Sequence, residues 1–172
     1  MNPTIDTLLT RRSIRQYSGE DVPAESVQLM LAAAMSAPSA ANQRPWHFLI
    51  VRKKESLDQL ATMHSGTRYI ADAALAIVVF ANPSDATLPA YWRDDCAAAT
   101  QNILLAAHAL HFGGTWIGVD EADTTIIEML RSLFQVPQEY LAFSVVALGK
   151  PTAFPEATDR YLPDRVHQES WD

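Results

Sequence analysis

Apolar positions change period several times along the chain, and each change marks an element. Ile5, Leu8 and Leu9 have helical spacing and predict a short helix before Arg11. Pro23 opens a second helical segment with Val27, Met30, Leu31 and Ala34 on one face, and Pro38 ends it. Pro38 to Pro45 reads as a loop. His47–Val51 is a short apolar, partly β-branched run predicting a buried strand, and Leu57–Met63 predicts a short helix. Ala74–Phe80 predicts a second buried strand, closed by Asn82-Pro83 and followed by a loop through Pro89.

Tyr91–Phe112 is the longest helical signal. It is apolar or small on nearly every face, so it has to be buried, with a partner chain as one possible cover. Gly113-Gly114 reads as its C-terminal stop. Thr115–Val119 predicts a strand, Thr124–Phe134 an amphipathic helix and Leu141–Leu148 a last strand. The tail, Pro151–Asp172, contains prolines at 151, 155 and 163 and has no clear period. It cannot build a core of its own. Its Tyr161, Leu162, Val166 and Trp171 predict that it lies across another surface, which in a small protein can belong to a second subunit.

Composition sets the limits. A chain of 172 residues suits one domain, 1–172, able to bury roughly 70% of the surface its unfolded form exposes. With 48% hydrophobic and 19% charged residues it falls outside the disordered class. The net charge of −7 is uneven: residues 1–54 carry seven basic and four acidic side chains (+3), the remainder six and sixteen (−10). That balance argues against nucleic acid or an anionic membrane as partner, while leaving a basic N-terminal third able to hold one small anion. Cys96 is the only cysteine, which excludes an internal disulfide and a cysteine-built metal site and fits a reducing compartment. The N-terminus lacks the pattern of a secretory signal, and the 96–116 run is too polar for a membrane span, so a cytoplasmic location is expected. The five histidines show no zinc-like spacing.

Four segments carry candidate chemistry. Arg11-Arg12-Ser13-Ile14-Arg15 offers three guanidiniums and a hydroxyl, forked donors suited to a phosphate, with Arg11, Ser13 and Arg15 on one face if the backbone is extended. Pro38-Ser39-Ala40-Ala41-Asn42-Gln43-Arg44-Pro45-Trp46 is a stiffened loop carrying a hydroxyl, two amides and an arginine, suited to a polar ring edge. Gly113-Gly114-Thr115-Trp116-Ile117-Gly118 has glycines that let backbone approach a flat ligand. Leu148-Gly149-Lys150-Pro151 leads to Arg160 and Arg165. Taken singly, each has an ordinary reading: solvated arginines, a helix-to-strand connection, a helix cap with a tight turn, a basic tail.

In this order and at these distances the four segments resemble the nitroreductase family, from about Ile5 to Trp171. Arg11–Arg15 resembles the family's phosphate motif, and Pro38-Ser39-Ala40 through Asn42 to Pro45-Trp46 its second signature. Asp94-Asp95-Cys96 with Gln101-Asn102 resembles its central dimer helix, and Ala147–Pro151 its last strand and turn. The resemblance implies an α+β fold in which a central, mainly antiparallel sheet lies between helical layers, with the arm 151–172 exchanged across a homodimer. It also implies FMN at the subunit interface.

Carried over by position, Arg11, Arg12, Ser13 and Arg15 would approach the phosphate, ribityl chain or pyrimidine edge, with Arg160 at the phosphate and Arg15 reaching the N1/O2 side. Pro38, Ser39, Ala40 and Asn42 of the other chain would line the flavin, and Trp116, Ile117 and Gly118 would face the ring near N5 and O4. The second signature usually has glutamine directly before Pro-Trp. Here Gln43-Arg44 stands there, so either side chain could take that contact. Arg68 is a further candidate at the pyrimidine. The implied reaction is ping-pong transfer of a hydride from NADH or NADPH through FMN to a nitroaromatic, quinone or similar flat small-molecule acceptor, with no catalytic side chain and no metal. A flavin reductase, a dehalogenase, an FMN-dependent dehydrogenase or a non-catalytic flavin-binding protein are the alternatives.

Overall fold

The computed structural model describes residues 2–171; Met1 and Asp172, the two ends of the predicted 1–172 unit, lie outside them. Five helices, α1 (Pro3–Thr10), α2 (Ala24–Met35), α3 (Lys54–Leu60), α4 (Trp92–Ala109) and α5 (Thr124–Phe134), surround four strands. The strands are β1 (Trp46–Val51), β2 (Leu75–Ala81), β3 (Gly113–Gly118) and β4 (Leu141–Gly149). They form one sheet in the order β1-β2-β4-β3, every pair antiparallel.

The uninterrupted apolar runs of β2 and β4 follow from this order. Both strands are central, and both faces of the sheet are covered, so no position along them can remain polar without a partner. Leu75, Ile77, Val79 and Ala81 join a core with α2 and α4, while Ala76, Val78 and Phe80 join a second core with α3 and α5. The period of two therefore divides one apolar run between two layers. Ser144, the polar exception on β4, is fully buried and pairs with Thr100 of α4 at 3.1 Å.

Four expectations change in detail. β1 is an edge strand, and His47 and Ile50 are exposed, so the His47–Val51 run is only half buried. α4 buries one side, along Trp92, Cys96, Ala99, Ile103, Leu104 and Ala107; Ala97, Ala98, Leu105 and Ala106 stay only partly covered. Gly113-Gly114 does not stop α4. The chain turns at His111, in the left-handed region with φ 62°, and both glycines already belong to β3. α3 begins three residues before the predicted Leu57, and 61–63 continue it as hydrogen-bonded turns.

The glycines of β3 and β4 answer to the segment that follows α1. Ile14 N–H donates to the Gly114 carbonyl at 3.0 Å, Ser13 bridges Gly114 in parallel, and Thr115 Oγ1 donates to the Ile14 carbonyl. Ser13 and Ile14 thus pair with the start of β3, Tyr17 bridges Pro151 just past β4, and Ile14 is buried against Gly113. A Cβ at Gly113 would lie 2.6 Å from Ile14 side-chain atoms, and one at Gly149 would lie 2.7 Å from the Tyr17 ring. Gly113→Ala should therefore destabilise the protein by roughly 1–3 kcal/mol, the range for overpacking a filled core. Denaturant unfolding reads this, and an unchanged midpoint would contradict the close contact.

Candidate functional site

α1 ends at Thr10, and Arg11 leaves it with extended backbone (φ −55°, ψ 133°), carrying Arg11 and Arg12 out at the helix C-terminus. A cavity of about 570 Å³ opens there, lined by Arg11, Arg12, Asp6, Gln101, Thr158 and Arg160 among others. Arg160 arrives from the tail, nearly 150 positions away in sequence. Arg11 Nη1 is buried there without a hydrogen-bond partner. Among the described residues, none of the three arginines makes a salt bridge. Burial, then the neighbouring guanidiniums of Arg160 and Arg12, lower the Arg11 pKa. Cations crowded at a partly desolvated site, with a donor left over, fit an anion of high charge density. A phosphate monoester has that chemistry.

Ser13 and Arg15 are not part of that lining. Both are exposed, and the Arg15 guanidinium lies over the Tyr69 ring, 5.7 Å from its centroid. The predicted shared face of Arg11, Ser13 and Arg15 is thus divided between two places: a phosphate-sized cavity at one end and a cation over an aromatic ring at the other. Arg68, next to Tyr69, is exposed on a separate cavity of about 430 Å³ with His64 and Ser65. On β3, Trp116 packs against Phe143 with ring centroids 5.6 Å apart, Ile117 is buried and Gly118 is exposed with open space where a Cβ would stand.

The loop at 38–45 is held from beneath. Asp95, nearly fully buried near the start of α4, accepts the Ala40 N–H at 2.8 Å and the Gln43 amide at 2.6 Å. Gln43 also donates to the Leu88 carbonyl at 3.1 Å and accepts the Leu88 N–H at 2.8 Å. Its amide is therefore engaged on both sides. Ala41, Asn42 and Arg44 all adopt positive φ, at 48°, 55° and 47°. Such residues persist when their surroundings over-determine them. Ser39 Oγ accepts the Arg44 N–H at 3.1 Å, and the exposed Arg44 side chain makes only a 3.3 Å contact to the Asn42 carbonyl.

Sequence reasoning missed four supporting residues. They are Asp95 beneath the loop, Tyr69 beneath Arg15, Thr158 against Arg12, and His108 of α4. Each acts across a long sequence separation, and the only local signal was the acidic pair Asp94-Asp95 at a helix start. Cys96 offers no nucleophile: burial, then the Asp95 carboxylate, push its thiol up to about 12.

The pattern of the nitroreductase family matches residues 8–94 and 68–150. A Methanothermobacter thermautotrophicus protein named "Putative NADH dehydrogenase/NAD(P)H nitroreductase" is 42% identical over 97% of this chain and 87% of its own length. The chain belongs to the nitroreductase family. Solved nitroreductase-fold structures agree with this membership. An FMN-dependent nitroreductase from Clostridium difficile superposes with TM-score 0.88 at 30% identity, over 96% of this chain and 99% of its own. A Desulfovibrio desulfuricans structure solved in complex with FMN gives TM-score 0.83 at 30% identity, over 100% of this chain and 99% of its own. The α+β fold expected of a nitroreductase, with its antiparallel sheet between helices, is the one observed.

Behind Arg11, His108 of α4 is a titratable neighbour. Thr10 Oγ1 donates to the Asp6 carbonyl at 2.7 Å, so its contact with His108 Nε2 at 2.8 Å requires the imidazole to donate. Burial, then Arg11 and His111, lower the His108 pKa, Asp6 opposes and Arg12 adds to the lowering. Because the folded pKa lies below the ordinary 6.5, the unfolded chain takes up a proton first as pH falls through that value. Stability of the flavin-free protein should therefore fall below pH 6.5. His108→Gln, which keeps the donor to Thr10, should flatten this slope in thermal melts; an unchanged slope would remove His108 from the linkage.

Proposed function

We propose that this oxidoreductase holds FMN and passes a hydride from NADH or NADPH, by a ping-pong sequence, to a nitroaromatic, quinone or similar flat acceptor. The observation that carries the reading is Arg11 Nη1, buried without a partner in a cavity shared by three guanidiniums. FMN would supply a ring able to accept a hydride from a nicotinamide and return it to a second substrate. Everything else falls to the chain.

Arg11 and Arg160 would receive the phosphate dianion with forked donors, with Arg12 beside them and the exposed Ser13 hydroxyl next along the segment. Arg15, steadied over Tyr69, would put a fixed cation at the pyrimidine edge, where it favours negative charge on the reduced ring. Arg68, neighbour to Tyr69, would lie on the same side. Trp116, Ile117 and Gly118 would border the ring, Gly118 leaving room for a planar group.

Pro38, Ser39, Ala40 and Asn42 would come from a second copy. Gln43 is engaged with Asp95 and Leu88, which favours Arg44 as the loop's free donor. Several observations support a homodimer over the whole 1–172 unit, with 151–172 as its exchanged arm. Ile5, Leu8 and Leu9 of α1 are exposed, and Leu105 and Ala106 border an apolar cavity of about 550 Å³. Tyr161, Leu162, Val166 and Trp171 of the tail are exposed as well. Among the described residues no helix is long and apolar enough to cross a membrane.

Two measurements test the reading. Mixed anaerobically with NADH and then NADPH, FMN-loaded protein should lose its flavin absorbance with at least one donor; no bleaching with either overturns the reductase assignment. Removing residues after Pro151 should give a monomeric, flavin-poor protein by light scattering and absorbance, whereas an intact dimer with full flavin content would contradict the exchanged arm.

A further inference from the structure

Arg12 differs from Arg11 in what its guanidinium does. Nη1 donates to the Leu9 carbonyl at 2.9 Å and to the Arg11 carbonyl at 2.8 Å, and Nη2 donates to the Thr158 carbonyl at 3.3 Å. The first of these is an orphan acceptor in the last turn of α1, where a cation is also favoured by the helix dipole. The third belongs to the tail, two residues before Arg160. Apart from a second, longer contact from Nη2 to Thr158 Oγ1 at 3.5 Å, no other hydrogen bond ties the stretch between Phe154 and Arg160 to the rest of the described protein. Upstream, the tail is anchored by the Tyr17–Pro151 bridge, by Thr152 N–H to the Gln16 carbonyl at 3.2 Å, and by Phe154 set edge-on against His108. Beyond Arg160, Tyr161 still borders the cavity, and both it and Leu162 are exposed.

We propose that Arg12 is a positioning residue for cofactor binding: it clasps the tail at Thr158 to the end of α1 and so delivers Arg160 to the cavity beside Arg11. The inference rests on the reading of that cavity as the FMN phosphate site. Carbonyls from two distant segments converge on one planar guanidinium, a task that suits Arg and not the point charge of Lys. With Arg12 engaged by backbone oxygens, Arg11 and Arg160 remain to meet the anion. Without the clasp, the tail between Phe154 and Arg160 becomes a free loop, and Arg160 is present near the cavity for only a fraction of the time. The apparent affinity for a phosphate-bearing ligand falls by that fraction.

The test is a double-mutant cycle on the full-length protein, measuring dissociation constants for FMN and for riboflavin, which lacks the phosphate. Arg160→Ala and Arg12→Ala should each weaken FMN by about tenfold or more, the size of one charge-assisted contact. Arg12→Ala should change riboflavin binding less than about twofold. In the Arg160→Ala background, Arg12→Ala should then have no further effect on FMN, because the group it positions is gone. Additive losses would overturn the proposal by making Arg12 an independent contributor to the anion. Equal losses for riboflavin and FMN would overturn it by making Arg12 a general support of the fold. Arg11→Ala is the separate control: if it leaves the preference for FMN over riboflavin intact, the phosphate reading itself fails, whatever Arg12 does.

Discussion

The contact on which the site depends is the seating of Ile14 and Tyr17 on strands that lack side chains where they land. Gly113 and Gly149 each leave a gap that a Cβ would close. Into these gaps the segment after α1 packs an aliphatic side chain and an aromatic ring, with the single proton of Tyr17 Oη shared between the carbonyls of Ile14 and Ala147 at 2.9 and 3.2 Å. A segment of alternating arginines would otherwise have every reason to remain solvated. Burying its apolar positions fixes the backbone between them, and the arginines then leave from known points at the sheet edge. Burial also keeps Tyr17 protonated: desolvation raises its pKa above the ordinary value, so the hydroxyl remains a donor.

Once that segment is fixed, the arginines separate by what surrounds each. Arg11 is held against Arg160 and Arg12 with a buried nitrogen unpaired, an arrangement that is unfavourable in the absence of an anion and favourable in its presence. Arg15, four positions on, has solvent and an aromatic face instead. Two chemically identical side chains thereby have different surroundings, one crowded by cations and the other backed by a ring. The neutral His108 fits the same logic, since a further cation behind Arg11 would add to the repulsion that the site already carries.

Much of the fold was legible because its signals are local. The all-apolar β2 and β4 runs, the amphipathic α5 and the proline-bounded α2 read directly from period and punctuation. What was illegible depends on which strand lies where. Nothing in His47–Val51 says that it is an edge, and Gly113-Gly114 looks like a helix stop until Ile14 is known to pack against it. For the site, the arginine cluster was visible as a cluster, and Arg160 joined it only through resemblance. Its partition into a buried donor, a carbonyl-bound strut and an aromatic-backed cation was not visible, because that depends on the ring of Tyr69, the carbonyl of Thr158 and the guanidinium of Arg160.

The loop at 38–45 shows the same dependence from the other side. Three non-glycine residues at positive φ within four positions are each disfavoured, by an amount on the order of 1 kcal/mol or more. No residue in the loop compensates for this alone. The compensation comes from Asp95, whose two carboxylate oxygens take the Ala40 N–H and the Gln43 amide, and from the paired bonds between Gln43 and Leu88. An unpaired carboxylate at that depth would itself be costly, so loop and helix each require the other. The interchange of the expected glutamine with arginine at the end of this loop then has a physical meaning. Gln43 is the internal strut, and the left-handed turn that it secures sends Arg44 outward, its guanidinium exposed beyond one 3.3 Å bond to the Asn42 carbonyl.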